Sequence, residues 1–106
     1  MSAESKTELF WDLVEPMFDT HVSRSTMMGF PCVRLDGAFF ASLDHRSGDL
    51  IVKLPKDRVS ELVHNGTGKP FSPAGRTFKE WVSITEEDKA TWSDLIDEAR
   101  RFVSGQ

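Results

Sequence analysis

Cysteine is almost missing from this chain. Cys32 stands alone among 106 residues, so no internal disulfide can form, and a buried structural thiol in a reducing compartment is the expected reading. No apolar run is long enough to span a bilayer. The opening MSAESKTELF lacks the basic and apolar regions of a signal peptide. Both absences point to a cytoplasmic protein. Positive charge is short as well. Thirteen Lys and Arg against seventeen Asp and Glu give a net charge of −4, which argues against strong nonspecific binding to DNA or anionic membranes while allowing a local basic patch.

Residues that carry chemistry are scattered. His21, His45 and His64 fall on a connector, a hairpin loop and a helix end, without the spacing that converging metal ligands need. Asp44-His45-Arg46 is an acid–base trio by composition only, because neighbours in one hairpin loop are poorly placed to act jointly. Gly66-Thr67-Gly68-Lys69 resembles a phosphate loop, but it follows a helix and precedes prolines, whereas a phosphate loop joins a strand to a helix N-terminus. No catalytic, cofactor-binding or metal-ligating residue is therefore assigned, no cofactor is expected, and the chain reads as a non-enzyme.

What is present is enough for one domain spanning residues 1–106. Hydrophobic content of 39% and charged content of 28% are ordinary for a soluble globular protein, and a chain this long buries roughly 65% of its unfolded surface without staples. The organising stretch is Phe30–Leu54, FPCVRLDGAFFASLDHRSGDLIVKL. Asp36-Gly37 suits the positive φ of a type I′ turn. A two-residue loop there pairs Leu35 with Ala38, Arg34 with Phe39, Val33 with Phe40 and Cys32 with Ala41. Ser47-Gly48 marks a second reversal that sets Leu43 against Leu50, Ser42 against Ile51 and Phe40 against Lys53. Alternation then sorts two faces. A core face takes Phe30, Cys32, Arg34, Phe39, Ala41, Leu43, Leu50, Val52 and Leu54. A mixed face takes Val33, Leu35, Ala38, Phe40, Ser42, Asp49, Ile51 and Lys53.

Helices flank this meander. Ser5-Lys6-Thr7-Glu8 has capping-box spacing, and Leu9, Phe10, Leu13, Val14, Met17 and Phe18 follow at helical intervals, with Pro16 predicting a kink or an end. Thr20–Met28 reads as a polar connector. Pro55 opens a second helix with Val59, Leu62 and Val63 on its apolar face, closed by Asn65-Gly66. Phe71 anchors a faint strand. Phe78–Ile84 alternates as a strand, with Phe78, Val82 and Ile84 on one parity and Lys79, Trp81 and Ser83 on the other. Thr85-Glu86-Glu87-Asp88 opens a last helix with the stripe Trp92, Leu95, Ile96, Ala99, Phe102 and Val103. The order helix, three strands, helix, one or two strands, helix predicts an α+β antiparallel sheet covered by helices on one face, with its second face open.

Met28-Gly29-Phe30, Arg34-Leu35-Asp36-Gly37, Phe39-Phe40-Ala41, Leu50–Lys53, and Gly75-Arg76 followed by Trp81-Val82 give the chain a resemblance to the TfoX N-terminal-domain and MmcQ/YjbR-like proteins over roughly Leu9–Val103. The resemblance implies a two-layer α-β(3)-α-β(2)-α sandwich of the secretion-chaperone-like kind. It also implies a bacterial regulatory or DNA-associated setting, and no catalytic residue travels with it. The chain lacks a helix-turn-helix with a basic recognition helix, since its last helix opens on acids.

The candidate working surface is the open face. Trp81 and Lys79 are expected to join Val33, Phe40, Ile51 and Lys53 there. Apolar and aromatic surface of this kind suits protein contact, including a homodimer. A second reading takes Lys53, Arg76, Lys79 and Trp81 as nucleic-acid contacts, with rings stacking on bases and cations on phosphates.

Overall fold

Two adjacent residues with positive φ, Asp36 (50°) and Gly37 (87°), turn the central hairpin, the type I′ geometry that matches the twist of paired strands. A computed structural model of the chain describes residues 3–27, 30–44, 47–72 and 75–105. Its elements run α1 (Ala3–Val14), β1 (Val22–Met27), β2 (Phe30–Leu35), β3 (Ala38–Leu43), β4 (Leu50–Lys53), α2 (Lys56–His64), β5 (Lys69–Phe71), β6 (Phe78–Ile84) and α3 (Lys89–Val103). The six strands form one antiparallel sheet in the order β1-β2-β3-β4-β6-β5. Helix α3 packs on β3 and β4, α2 on β5 and β6, and α1 on α3, so the expected α+β sandwich with an antiparallel sheet is the observed one.

Four strands precede α2 rather than three. The segment expected to be a polar connector is β1, paired along its length with β2 from Val22↔Leu35 to Met27↔Phe30. Its sequence VSRSTM hides the strand because every residue between Val22 and Met27 is polar. Such a composition is typical of a sheet edge, not a sheet centre. Met28 and Gly29 lie outside the described residues, as do His45 and Arg46.

The hairpin starts in the expected register, Leu35↔Ala38 and Arg34↔Phe39, and then shifts: Val33 lies opposite Ala41 and Cys32 opposite Ser42. Phe40 is the extra residue of a β-bulge. In a bulge two consecutive side chains on one strand oppose one on its neighbour, so the alternation breaks. Phe40 and Ala41 both enter the helix-side core, together with Val33 and Leu35. The faces assigned to β2 and to the start of β3 are therefore exchanged. Phe30, Cys32, Arg34 and Phe39 belong to the side away from the helices, where the Arg34 guanidinium lies 4.3 Å from the Phe39 ring centroid. Beyond the bulge the expected pairs Ser42↔Ile51 and Leu43↔Leu50 hold.

The helix-side core joins Leu43, Leu50, Val52, Leu54, Val82 and Ile84 of the sheet to Phe10, Val14, Val59, Leu62, Trp92, Leu95, Ile96 and Ala99 of the helices. Local signals differ from expectation at several helix ends. α1 begins at Ala3, so Ser5 lies inside it and is not its cap. Of the two outcomes expected at Pro16, the α-helix ends rather than kinks, as the chain tightens into a 3₁₀ turn over Glu15–Met17. Pro55 is the N-cap of α2 rather than its first residue. Helix α3 starts after Asp88, whose carboxylate accepts from the main-chain N–H of Ala90 and Thr91 at 3.1 and 3.3 Å. The Thr85 carbonyl instead accepts from Lys6 Nζ at 2.9 Å, and that of Glu86 accepts from Trp92 Nε1 at 2.8 Å.

Two substitutions test this packing. Phe40→Ala should empty a site with no exposed surface and lower unfolding free energy by about 3–5 kcal/mol, as read by urea denaturation followed by circular dichroism. A Cβ on Gly68 would stand 2.6 Å from Val82 Cγ2 and 3.2 Å from the Ser83 carbonyl oxygen. Gly68→Ala should therefore cost about 1–3 kcal/mol through overpacking. An unchanged denaturation midpoint for either variant would contradict the arrangement described.

Candidate functional site

On the side of the sheet away from the helices, alternation brings together Cys32, Ser42, Ile51, Lys53, Trp81 and Ser83. This face is less open than a bare second layer. Phe30, Ile51 and Phe71 form a small core of their own against the half-buried Phe78 and Trp81, drawing on β2, β4, β5 and β6. Phe78 joins this cluster rather than Val82 and Ile84, because the β5–β6 register slips between Pro70↔Val82 and Phe71↔Phe78. Ser42 is fully buried and donates to the Pro31 carbonyl at 2.8 Å. Cys32 is also fully buried, and desolvation pushes its thiol up to about 11 against smaller lowering effects of Arg34 and Ser25. It is protonated at neutral pH and unsuited to act as a nucleophile.

Of the six residues expected to share an accessible face, three have no exposed surface. Val33 and Phe40 sit in the helix-side core, and Ile51 lies under the aromatic cluster. Lys53, Lys79 and Trp81 remain accessible at one end of the sheet. Lys53 is the last residue of β4 and lies directly opposite Trp81 on β6, with its ammonium 6.0 Å from the indole centroid. Arg76, just before β6, holds its guanidinium 5.3 Å from the Phe78 ring. These are cation–π distances.

Trp81 and Phe78 also line a groove of about 570 Å³ between α2 and the start of β6. Val59 and Val63, one turn apart on α2, and Pro70 on β5 supply its apolar wall. Lys56, Asp57, Lys79 and His64 supply its charged and polar lining. The volume falls within the range of ordinary binding clefts. The α2 contribution was legible as spacing, since Lys56, Val59 and Val63 recur at i, i+3 and i+7. What sequence could not supply was the strand that α2 crosses.

The charges explain the character of this end. Five cations elsewhere are matched to carboxylates, while Arg24 and Arg34 lie over the Trp11 and Phe39 rings. Arg58 binds Glu61 and Glu98, Arg100 and Arg101 reach Asp97, and Lys6 and Lys69 flank the nearly buried Asp49 at 3.9 and 3.4 Å. Among the described residues, no carboxylate lies within ion-pair distance of Lys53, Lys56, Arg76 or Lys79. Lys56 and Lys79 thus line the groove beside Asp57, and Lys53 and Arg76 stand near its Trp81 and Phe78 rings, in a chain whose net charge is −4.

A second cleft, of about 530 Å³, is polar and lies between the hairpin turn and the end of α3. His21 Nδ1 sits 2.8 Å from Asp36 Oδ1, and Asp19 accepts from the main-chain N–H of His21 and Val22 at 2.7 and 2.8 Å. Asp36 raises the His21 pKa, chiefly through that hydrogen bond, and the two backbone bonds lower that of Asp19. His21 and Asp36 are both about two-thirds exposed, which suits a turn-closing contact and gives no shielded base. Among the described residues, no three His, Cys, Asp or Glu side chains gather as metal ligands, and no helix is long and apolar enough to cross a membrane.

The His21 contact has a defined pH sign. A raised histidine pKa contributes stability below the unfolded value of about 6.5, and that contribution disappears as pH rises through the folded value. NMR titration should place the His21 midpoint above that of an unstructured histidine, and Asp36→Asn should bring it down. A midpoint indifferent to Asp36→Asn would disprove the pairing.

Comparison of the chain with protein-family models, with curated proteins and with solved structures finds no match.

Proposed function

We propose that this chain is a non-enzymatic protein-interaction module, of the kind its TfoX N-terminal/YjbR-like resemblance implies, that grips an acidic and partly apolar segment of a partner through the Trp81 groove. The observation that carries this reading is the cluster of unmatched cations, Lys53, Lys56, Arg76 and Lys79, around the half-buried rings of Trp81 and Phe78. A concave apolar wall of Val59, Val63 and Pro70 accepts side chains. Cations at the rim attract carboxylates and set orientation. Buried aromatics ringed by partly exposed polar groups are also the usual composition of binding hot spots.

A second reading, single-stranded nucleic acid, is favoured by the two cation–π pairs, Lys53 with Trp81 and Arg76 with Phe78, because rings beside cations can stack bases and neutralise phosphates. It ranks lower because Trp81 is packed into the Phe30–Ile51–Phe71 cluster, which limits the ring face open to a base.

Titration of intrinsic fluorescence with a short peptide alternating Glu and Phe should give saturable binding. Trp81→Ala and the pair Lys53→Glu with Lys79→Glu should each weaken it by about tenfold or more. A short single-stranded oligonucleotide is the counter-probe. If it binds instead, with affinity falling in salt at a log–log slope no steeper than about −3 for four cations, the second reading replaces the first. Binding of the peptide unaffected by these substitutions would remove the groove from the function.

A further inference from the structure

The sheet has two edges, and they are built differently. β5 is three residues long and carries Lys69 and Pro70, the residue types that keep an edge from pairing with another chain. β1 is six residues long, VSRSTM, with no proline or lysine, and its register with β2 runs without a shift.

The hydrogen-bonding phase of β1 follows from one contact. Asp36 N–H donates to the His21 carbonyl at 2.7 Å, so position 21 forms a hydrogen-bonded pair with position 36. Alternation along the antiparallel ladder then directs the main chain of Ser23 and Ser25 toward β2 and that of Val22, Arg24 and Thr26 outward. Val22 is already closed off. Its N–H donates to Asp19 Oδ1 at 2.8 Å, and its carbonyl accepts from Asp19 N–H at 3.2 Å. Among the described residues, nothing bonds the outward main chain of Arg24 or Thr26. The Arg24 side chain does not obstruct them, since its guanidinium lies 4.2 Å from the Trp11 ring centroid.

We propose that the β1 edge binds the β1 edge of a second copy of this chain, antiparallel and about a two-fold axis through Ser25, extending the sheet across the dimer. In this register Arg24 of each copy exchanges both main-chain hydrogen bonds with Thr26 of the other. Every outward group left open in one copy is satisfied by the same set in its mate, and the Asp19 cap on Val22 stays in place. Centring the axis on Arg24 instead would set two guanidinium groups face to face and break that cap, and like charges directly opposite are destabilising. The self-complementarity is that of a closed two-fold interface. The contact is short, below the area of a permanent dimer, so association is concentration-dependent. It is independent of the Trp81 groove, which lies toward the opposite sheet edge.

Light scattering after size-exclusion chromatography, over a dilution series of the intact chain, should show a monomer–dimer equilibrium. Thr26→Pro removes an outward N–H and no bond to β2, and should raise the dissociation constant at least about tenfold with an unchanged circular dichroism spectrum. Should that variant fold poorly, a charge pair at the exposed Thr26 decides. Thr26→Lys, opposite the second copy's Arg24, should weaken the dimer, and Thr26→Glu should tighten it. Trp81→Ser should leave the equilibrium alone. A monomer at every concentration, or a dimer indifferent to both charge variants, would overturn the proposal. A dimer lost with Trp81→Ser would move the contact to the groove and overturn it equally.

Discussion

The extra residue in β3 governs which side of the sheet each neighbouring side chain occupies. Without the bulge, Phe40 would alternate away from Ala41 and face outward beside Ile51. With it, Phe40 and Ala41 both point toward α3, opposite Val33. A fully buried phenylalanine is among the largest single contributions to a core of this size. It sits where the sheet meets the buried α3 residues Trp92, Leu95, Ile96 and Ala99. The bulge also re-aims β2, so that Val33 and Leu35 face the helices and Cys32 and Arg34 do not. One irregularity therefore fills the main core and settles the composition of the opposite face.

That opposite face is consequently neither a second open layer nor a bare apolar patch. Its centre is closed by small or self-covered residues: Ser42 bonded to Pro31, Cys32 buried, and Ile51 under Phe30 and Phe71. Only the ends remain available. One end has Arg34 on Phe39, a cation resting on a ring. The other has Lys53 and Trp81 next to the groove of α2. Two lysines balance Asp49, whereas the cations around Trp81 are left without a carboxylate.

Much of the architecture is legible in the amino acids. Asp36-Gly37 specifies the hairpin through the φ values it tolerates, Asn65-Gly66 ends α2 with its left-handed glycine (φ 86°), and the Trp92–Val103 stripe marks α3. β1 was not legible, because the residues between Val22 and Met27 are all polar and present no alternation to detect. The bulge was not legible because Val33, Phe40 and Ala41 are all apolar and accept either face, so hydrophobic pattern alone cannot fix a one-residue slip. The same limit divides the candidate site. Lys53, Lys79, Trp81 and Arg76 lie beyond the bulge, and the structure holds them near one end of the sheet. Val33 and Phe40 lie next to it and were exchanged with residues of the other face.

The arrangement also accounts for where reactive groups stand. Cys32 is held as a neutral thiol beneath the sheet surface, and His21 is committed to Asp36 at an exposed turn. His64 lines the main groove together with Lys56, Asp57 and Lys79. A general base needs a partner that fixes its tautomer and a shielded substrate position; Asp36 supplies the first for His21, but at a turn where both side chains are about two-thirds exposed. What the Trp81 end offers instead is apolar area, aromatic rings and uncompensated positive charge on elements of a rigid sheet and helix. Those properties support the proposed reading of the groove as a place of attachment.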